Sequence, residues 1–307
     1  MARRKKGQPV HGWLIIDKPQ GMSSSQVVGK VKWLLDAQKA GHAGTLDPLA
    51  TGILPIGLGE ATKTMSMVVD GAKAYRCWLR FGTSTTTDDG EGDVVDTSDV
   101  RPQTAEILSA LPEFEGEIEQ VPPVYSAIKI DGKRAYARAR ADEQVEMPSR
   151  IVQIDRINLV EHVDSSLVVL DVECQKGTYI RALARDLAAR LGTCGHVEDL
   201  RRTQVGKFTE KHAISLDSLE SLGHSARLEV VLSIMTALDD IPALALTKDE
   251  AGKMRNGMPL LAKPVLDRSP EFSGPFEQTV MAMNGDTPLA LARIIDGEIR
   301  SVRVLNL

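Results

Sequence analysis

Cysteine is scarce in this chain of 307 residues: three in all, Cys77, Cys174 and Cys194, far apart and odd in number. That excludes a disulfide framework and any metal-ligand spacing, and it points to buried thiols in a reducing compartment. No apolar run is long enough to cross a bilayer. The basic start, Met1-Ala2-Arg3-Arg4-Lys5-Lys6-Gly7, is followed by no apolar core, which argues against a secretory leader and for the cytoplasm. The glycine-rich pieces contain neither a Gly-Lys-Ser/Thr phosphate loop nor a dinucleotide fingerprint. Internal repeats and low-complexity tracts are also missing.

Net charge is modest, at −5, which excludes a protein that coats nucleic acid indiscriminately. The average conceals a division. Residues 84–120 hold eleven acidic side chains and one basic one, Arg101. Residues 1–40 hold eight basic and two acidic groups, residues 126–141 five and one, and residues 174–207 seven and three. A fold that joins the three basic stretches would offer a local surface for a phosphate backbone. Lys129, Lys133, Arg134, Arg138, Arg140, Arg201 and Arg202 are the contact candidates. Residues 208–307 carry ten basic and fourteen acidic groups, so no strong anion binder is expected there.

The ordinary parts are those of a globular protein, with 42% hydrophobic and 26% charged residues. The length suggests one large domain and a smaller one. Gly12–Asp17 reads as a buried strand closed by a Lys18-Pro19-Gln20-Gly21 turn. Ser23, Ser24 and Ser25 offer caps for a helix whose apolar face is Val27, Val28, Val31, Leu34 and Leu35. Tyr75 to Phe81 alternates as a strand, with Arg76 and Arg80 opposite Tyr75, Cys77, Leu79 and Phe81. The acidic stretch from Thr83 to Asp99 predicts a mobile surface loop, within an acidic insertion spanning about 83–120. Thr104–Leu111 predicts a short helix, Ser166–Cys174 a strand, and Arg181–Leu191 an amphipathic helix capped by Gly192. From about residue 241, short strands near 279–283, 288–295 and 299–305 alternate with turns, which predicts a small, mostly β domain at 241–307 after a larger one at 1–240. The mixture without regular βαβ units predicts an α+β core.

One stretch stands out. Gly41-His42-Ala43-Gly44-Thr45-Leu46-Asp47-Pro48-Leu49-Ala50-Thr51-Gly52 places a single carboxylate between glycine-rich turns. Such a segment can deliver Asp47 into a pocket and let a bulky ligand approach the backbone. By itself an Asp-Pro pair is most often a turn.

Three further stretches change that reading: Gly12-Trp13-Leu14-Ile15-Ile16-Asp17-Lys18-Pro19, Pro122-Pro123-Val124-Tyr125-Ser126-Ala127-Ile128-Lys129 and Lys176-Gly177-Thr178-Tyr179-Ile180-Arg181. Together with the Asp47 segment they resemble the tRNA pseudouridine synthase B family, in order and spacing over about the first 215 residues. The resemblance implies a pseudouridine synthase fold with a mixed, largely antiparallel sheet, followed by a PUA-like RNA-binding module. It implies conversion of the T-loop uridine at tRNA position 55 to pseudouridine, with Asp47 as nucleophile and Arg181 as its partner.

The reaction implied breaks the bond from ribose C1′ to uracil N1, turns the base and rejoins it through C5. Nothing is oxidised or hydrolysed, so no cofactor and no metal is expected. An ionised carboxylate can attack the ribose centre or stabilise it. Arg181 beside Asp47 would lower the carboxyl pKa and fix its rotamer. Tyr75 and Tyr179 match positions that contact the extruded uracil, and Leu200 matches a pocket-floor position. His42 matches the histidine that fills the space the nucleotide leaves. Lys18 and Pro19 match a family turn that supports the loop, with phosphate contact as a second role for Lys18; Lys129 is a substrate contact through the basic run it opens. The expected partner is the T-arm of tRNA, met by a monomer with no membrane and no obligate protein partner.

Overall fold

The computed structural model describes residues 7–269, apart from 127, 131, 136–137, 139–142 and 144, together with residues 272 and 278–307. Its first strands are β1 (Gly12–Lys18), β2 (Ala40–His42), β3 (Thr51–Leu58), β4 (Lys73–Phe81), β5 (Thr83–Thr85), β6 (Val94–Thr97) and β7 (Gly116–Gln120). After the short pair β8 (Lys129–Ile130) and β9 (Lys133–Arg134) come β10 (Arg150–Asp164), β11 (Leu167–Cys174), β12 (Gly195–Val205), β13 (Phe208–Thr209) and β14 (Ala213–Ser215). A ten-stranded sheet runs β14–β1–β3–β12–β4–β11–β10–β7, with β2 beside β3 and β13 beside β12. Its pairings are antiparallel except β1–β14 and β3–β12, so the α+β core has the mixed, largely antiparallel sheet expected.

The periodicities read from the sequence hold where the apolar pattern is unbroken. In β4, Cys77, Leu79 and Phe81 are buried and Tyr75 packs against the same core. On the opposite face Arg76 forks onto Asp171, its cross-strand neighbour, at 2.8 Å to each carboxylate oxygen. The helix Ser24–Leu34 starts at a capping box: Gln26 N donates to Ser23 Oγ, and Ser23 N donates to Gln26 Oε1 at 2.8 Å. Such a cap contributes about 1 kcal/mol. Its buried face, Val27, Val31 and Leu34, covers the sheet beside Leu183 and Leu187 of the helix Ile180–Arg190. Each such side chain contributes about 1.5–3 kcal/mol by leaving water.

The acidic stretch departs from expectation. Thr83 to Asp99 is no detached mobile loop. β5 and β6 pair, Gly90 N donates to Val197 O at 2.9 Å, and Val197 N donates to Asp88 O at 3.1 Å. The stretch is therefore laid along β12, and one of its carboxylates, Asp89, is buried. The helix Thr104–Ala110 follows as expected, with Ile107 in the core.

β15 (Ala243–Ala245), β16 (Leu260–Leu261), β17 (Thr279–Asn284), β18 (Thr287–Ile295) and β19 (Glu298–Val304) form a separate five-stranded sheet ordered β15–β17–β18–β19–β16. It has its own core around Leu244, Met254, Val265, Val280 and Ile299. Met281, Leu291 and Leu305 instead join Trp13, Ile15, Ile53 and Phe208 on the second face of the large sheet. Lys63 Nζ donates to Val304 O at 2.7 Å and Asn306 N to Glu60 Oε2 at 2.8 Å, so polar contacts flank that apolar seam.

Candidate active site

Asp47 lies in the connection between β2 and β3, and the backbone of that connection is pinned along most of its length. Ala43 N donates to Pro55 O at 2.8 Å, and Ala50 N closes a turn on Asp47 O at 3.1 Å. Ser24, buried at the start of its helix, takes a hydrogen bond from Leu46 N at 2.8 Å and donates to Leu46 O at 3.0 Å. Pro48 O accepts from Gly21 N at 2.8 Å and from Lys18 Nζ at 3.2 Å. Arg202 donates to Gly44 O at 3.1 Å and to Thr45 O at 3.3 Å. These bonds satisfy polar groups that would otherwise be buried unmet, and they fix where the carboxylate points.

The carboxylate meets a guanidinium. Arg181 Nη2 is 2.9 Å from Asp47 Oδ2, and Arg181 Nη1 is 3.4 Å from Asp89 Oδ2. The Arg181 side chain is 4% exposed, and its remaining donors reach Thr87 O at 2.7 Å and Tyr125 O at 2.9 Å. One arginine thus ties together the Asp47 loop, the acidic stretch and the Val121–Tyr125 segment. Asp89 is in turn held by Thr87 Oγ1 at 2.6 Å and by Glu91 N at 3.1 Å. The Asp47 side chain is crowded by protein yet keeps 37% exposure, so the carboxylate stays open to solvent beside its buried partner.

Its charge state runs against the sequence expectation. Burial pushes the Asp47 carboxyl above its ordinary pKa; Arg181 pulls it down, Asp89 pushes it up, and the net direction is upward. A carboxylate that pays for its ionisation in this way is more basic and a better nucleophile than one in free solution, provided the pH stays high enough to ionise it.

Of the other residues singled out in the sequence, Tyr75 and Leu200 come together through strand register. Leu200 pairs with Cys77 and Arg202 with Tyr75 across β12 and β4, and Leu200 is buried in the core beneath. Burial holds the Tyr75 phenol above its ordinary pKa, with Arg202 acting in the other direction, so the ring enters the site uncharged. His42 ends β2; burial first, then Arg202, lowers its pKa, with the Gly44 backbone acting the other way, and among the described residues its Nδ1 has no hydrogen-bond partner. Tyr179 precedes the helix Ile180–Arg190. Gln120, 1% exposed, fixes it by accepting from Tyr179 N at 2.8 Å and donating to Tyr179 O at 3.1 Å. One face of the Tyr179 ring is covered by Arg150, whose guanidinium carbon is 4.8 Å from the ring centroid. Only the other face is open for stacking.

Three expectations need correction. Lys18 is fully buried and spends its ammonium on Pro19 O, Met22 O and Pro48 O, at 2.8, 2.6 and 3.2 Å. Burial lowers its pKa to about 8, with Asp47 acting the other way. All three donors are used inside the protein, so Lys18 braces the loop. Arg201 forks onto Asp17 at 3.0 and 2.9 Å and reaches Glu210 at 2.7 Å, so it is not held out for phosphate. Arg202 is 1% exposed and faces inward. Lys129, Lys133 and Arg134 form β8 and β9, with their side chains outside the described residues; Arg140 is also outside them, and Arg138 pairs with Glu143 at 2.7 Å.

Asp89 and Gln120 escaped sequence reasoning, and Arg202 reads in the sequence only as a phosphate contact. Asp89 is one of eleven acids in a row of turns, and nothing local marks the buried one. Among the described residues no three histidine, cysteine or carboxylate side chains gather as a metal ion requires, and no helix is long and apolar enough to cross a membrane.

Residues 32–180 match the family described as TruB family pseudouridylate synthase (N terminal domain), and residues 181–240 match tRNA pseudouridylate synthase B C-terminal domain. Proteins named tRNA pseudouridine synthase B from Caulobacter vibrioides and Rhodospirillum rubrum are 52% and 49% identical to this chain, over 310 and 308 residues and 100% of both partners. A solved structure of an H/ACA RNP bound to a substrate RNA containing 2′-deoxyuridine aligns with a TM-score of 0.71 at 21% identity, covering 100% of this chain and 92% of that one. A Cbf5-Nop10-Gar1 complex aligns with a TM-score of 0.71 at 23% identity, covering 100% and 90%. At such identities the likeness concerns the fold alone.

Proposed function

The chain belongs to the TruB family of pseudouridylate synthases, and from that premise we propose that it isomerises the T-loop uridine at tRNA position 55 to pseudouridine. The observation that carries the proposal is the Asp47–Arg181–Asp89 cluster, in which the guanidinium and Asp89 are buried and Asp47 stays partly exposed. Asp47 acts on the ribose of an extruded uridine. The C1′–N1 electron pair leaves with the base, the base turns, C5 bonds to C1′, and the C5 proton is replaced by one on N1. Atoms and electrons balance with no oxidant, reductant or water.

Extrusion from the T-loop costs roughly a few kcal/mol of stacking. His42, neutral and half-buried, fills the vacated space, which suits a residue that packs against bases and holds no phosphate. Tyr75 and the open face of Tyr179 hold the uracil, and Leu200 closes the pocket floor. Arg181 fixes the carboxylate rotamer by a charge-assisted bond. Lys129 remains a phosphate contact by its place in the segment after Pro122-Pro123. We divide the chain into a catalytic domain at 1–240 and a PUA-like domain at 241–307. We take it to act as a cytoplasmic monomer without a protein partner.

The test is direct. The purified chain is incubated with an unmodified tRNA transcript and no added cofactor, and pseudouridine is mapped by chemical labelling. Product at the T-loop uridine is expected. Product at another uridine, or none, overturns the assignment.

A further inference from the structure

The two glycines that frame Asp47 in the sequence both face one residue, Gly52 its backbone and Gly44 its side chain. Gly52, at φ +95°, lies so close to β12 that a Cβ there would come within 2.2 Å of Arg202 O. Gly44, at φ +105°, faces the other end of the same residue, where a Cβ would be 3.4 Å from Arg202 Nη1. Arg202 also stands at a crossing of strands: its backbone is in register with Gly52 of β3 on one side and Tyr75 of β4 on the other.

Its guanidinium donates to Ile53 O at 2.8 Å, just after the loop, and to Thr45 O and Gly44 O just before Asp47. Tyr75 is its cross-strand neighbour on β4, so the same residue stands beside the ring. Among the described residues no carboxylate pairs with it. A buried cation without a counter-charge is costly, and an apolar residue of similar volume would serve stability better. What the arginine supplies is shape. Its planar fork spans three carbonyls from one point on the strand that pairs with Tyr75, which a lysine cannot do.

Resting on the function proposed above, we propose that Arg202 is a positioning residue, which sets the Asp47 loop and the Tyr75 ring in a single mutual registration so that nucleophile and base pocket meet the same nucleotide. It touches no substrate. Its contribution is to the geometry of the reacting groups, where a displacement of about 1 Å is worth about 10²-fold in rate.

The test uses the full chain and an unmodified tRNA transcript. Arg202→Met and Arg202→Lys are compared with wild type for tRNA affinity, single-turnover rate and the pH–rate profile. The expected result for Arg202→Met is a rate lower by about 10²-fold with the Kd for tRNA within about threefold, and an acid limb that moves less than when Arg181 is removed, because Arg181 is the leading cation acting on Asp47. Arg202→Lys is expected to recover only part of the loss. Gly44→Ala leaves the arginine in place but strains the loop at φ +105°, which shifts the Gly44 carbonyl that the fork holds, and is expected to show the same split. That variant decides the matter if Arg202→Met does not fold. A rate within threefold of wild type in the folded variants overturns the proposal. So does a loss carried wholly by tRNA affinity, which would make Arg202 a binding residue. Failure of the wild-type chain itself to form pseudouridine would sink the functional reading instead.

Discussion

At the N-terminus of the helix Ile180–Arg190 a buried arginine meets two carboxylates, Asp47 and Asp89. In the middle of β12 a second buried arginine meets three carbonyls and stands in register with Tyr75. The first sets the charge of the nucleophile and the second sets its place. Separating the two tasks has a consequence: charge and geometry of Asp47 can be changed independently, and each change leaves a different mark on the kinetics.

The comparison breaks most sharply at its common member. Asp47→Asn keeps the shape of the loop and removes the nucleophile. Isomerisation is expected to fall by at least about 10⁴-fold, with tRNA affinity within about threefold of wild type. Single-turnover assays and filter binding on the same preparation check both halves. Comparable turnover would end the role given to Asp47.

Next in size is Arg181→Met. It leaves Asp47 and Asp89 with no cation between them, and like charges disfavour ionisation. The rate is expected to drop by about 10³-fold and the acid limb to move to higher pH. Stability should fall by about 3 kcal/mol in denaturant titrations, a low value for a buried pair because 37% of the Asp47 side chain already meets solvent. A rate loss without a shift of the acid limb would put Arg181 in the same class as Arg202 and erase the contrast.

How far this contrast was legible in the sequence depends on the local pattern. The helix Ser24–Leu34 and β4 were readable because their apolar residues keep one period throughout. β12, the strand that carries Leu200 and Arg202, was not. Bulges between Val197 and Asp199 and between Arg202 and Gln204 shift its register twice, so no clean alternation survives. Arg201 and Arg202 looked alike as adjacent charges. Once they belong to a strand they must face opposite sides, one to Asp17 and Glu210, the other inward. The Asp47 loop and Arg181 were legible only through resemblance, since the pair is 134 residues apart in sequence and no local period joins them. Lys18 was half legible: the turn was seen, but a lysine with all its donors used internally has the same sequence signature as an exposed one.

A smaller effect sharpens the electrostatic side. Asp89→Asn keeps a polar group beside Arg181 and removes one negative charge. Asp89 raises the Asp47 pKa, so its loss lowers it. Asp47 then stays ionised to lower pH, and the acid limb of the single-turnover profile moves down. The plateau rate is expected to fall by only about tenfold, because a less basic carboxylate is a weaker nucleophile. A limb that moves up, or does not move, would show that Asp89 acts through the backbone of its own turn.

The smallest effect concerns stability and uses the same Asp47→Asn variant without RNA. The folded pKa of Asp47 is raised by burial first and by Asp89 in addition. For an acid, a raised folded pKa means that folding favours the protonated form. The stability this group contributes is present below the ordinary carboxylate pKa of about 4 and is lost as pH rises through the folded value. At neutral pH the charged nucleophile is therefore a net cost to the fold, one that Asn does not carry. The variant's Tm at pH 7 is expected to exceed wild type by about 1–2 °C, a small gain because Arg181 and solvent already offset part of the cost. The gain should vanish towards pH 4. Equal Tm values across that range, or a lower Tm for the variant at neutral pH, would mean that Arg181 outweighs burial and Asp89, and that Asp47 is stabilised as the anion by the pocket that uses it.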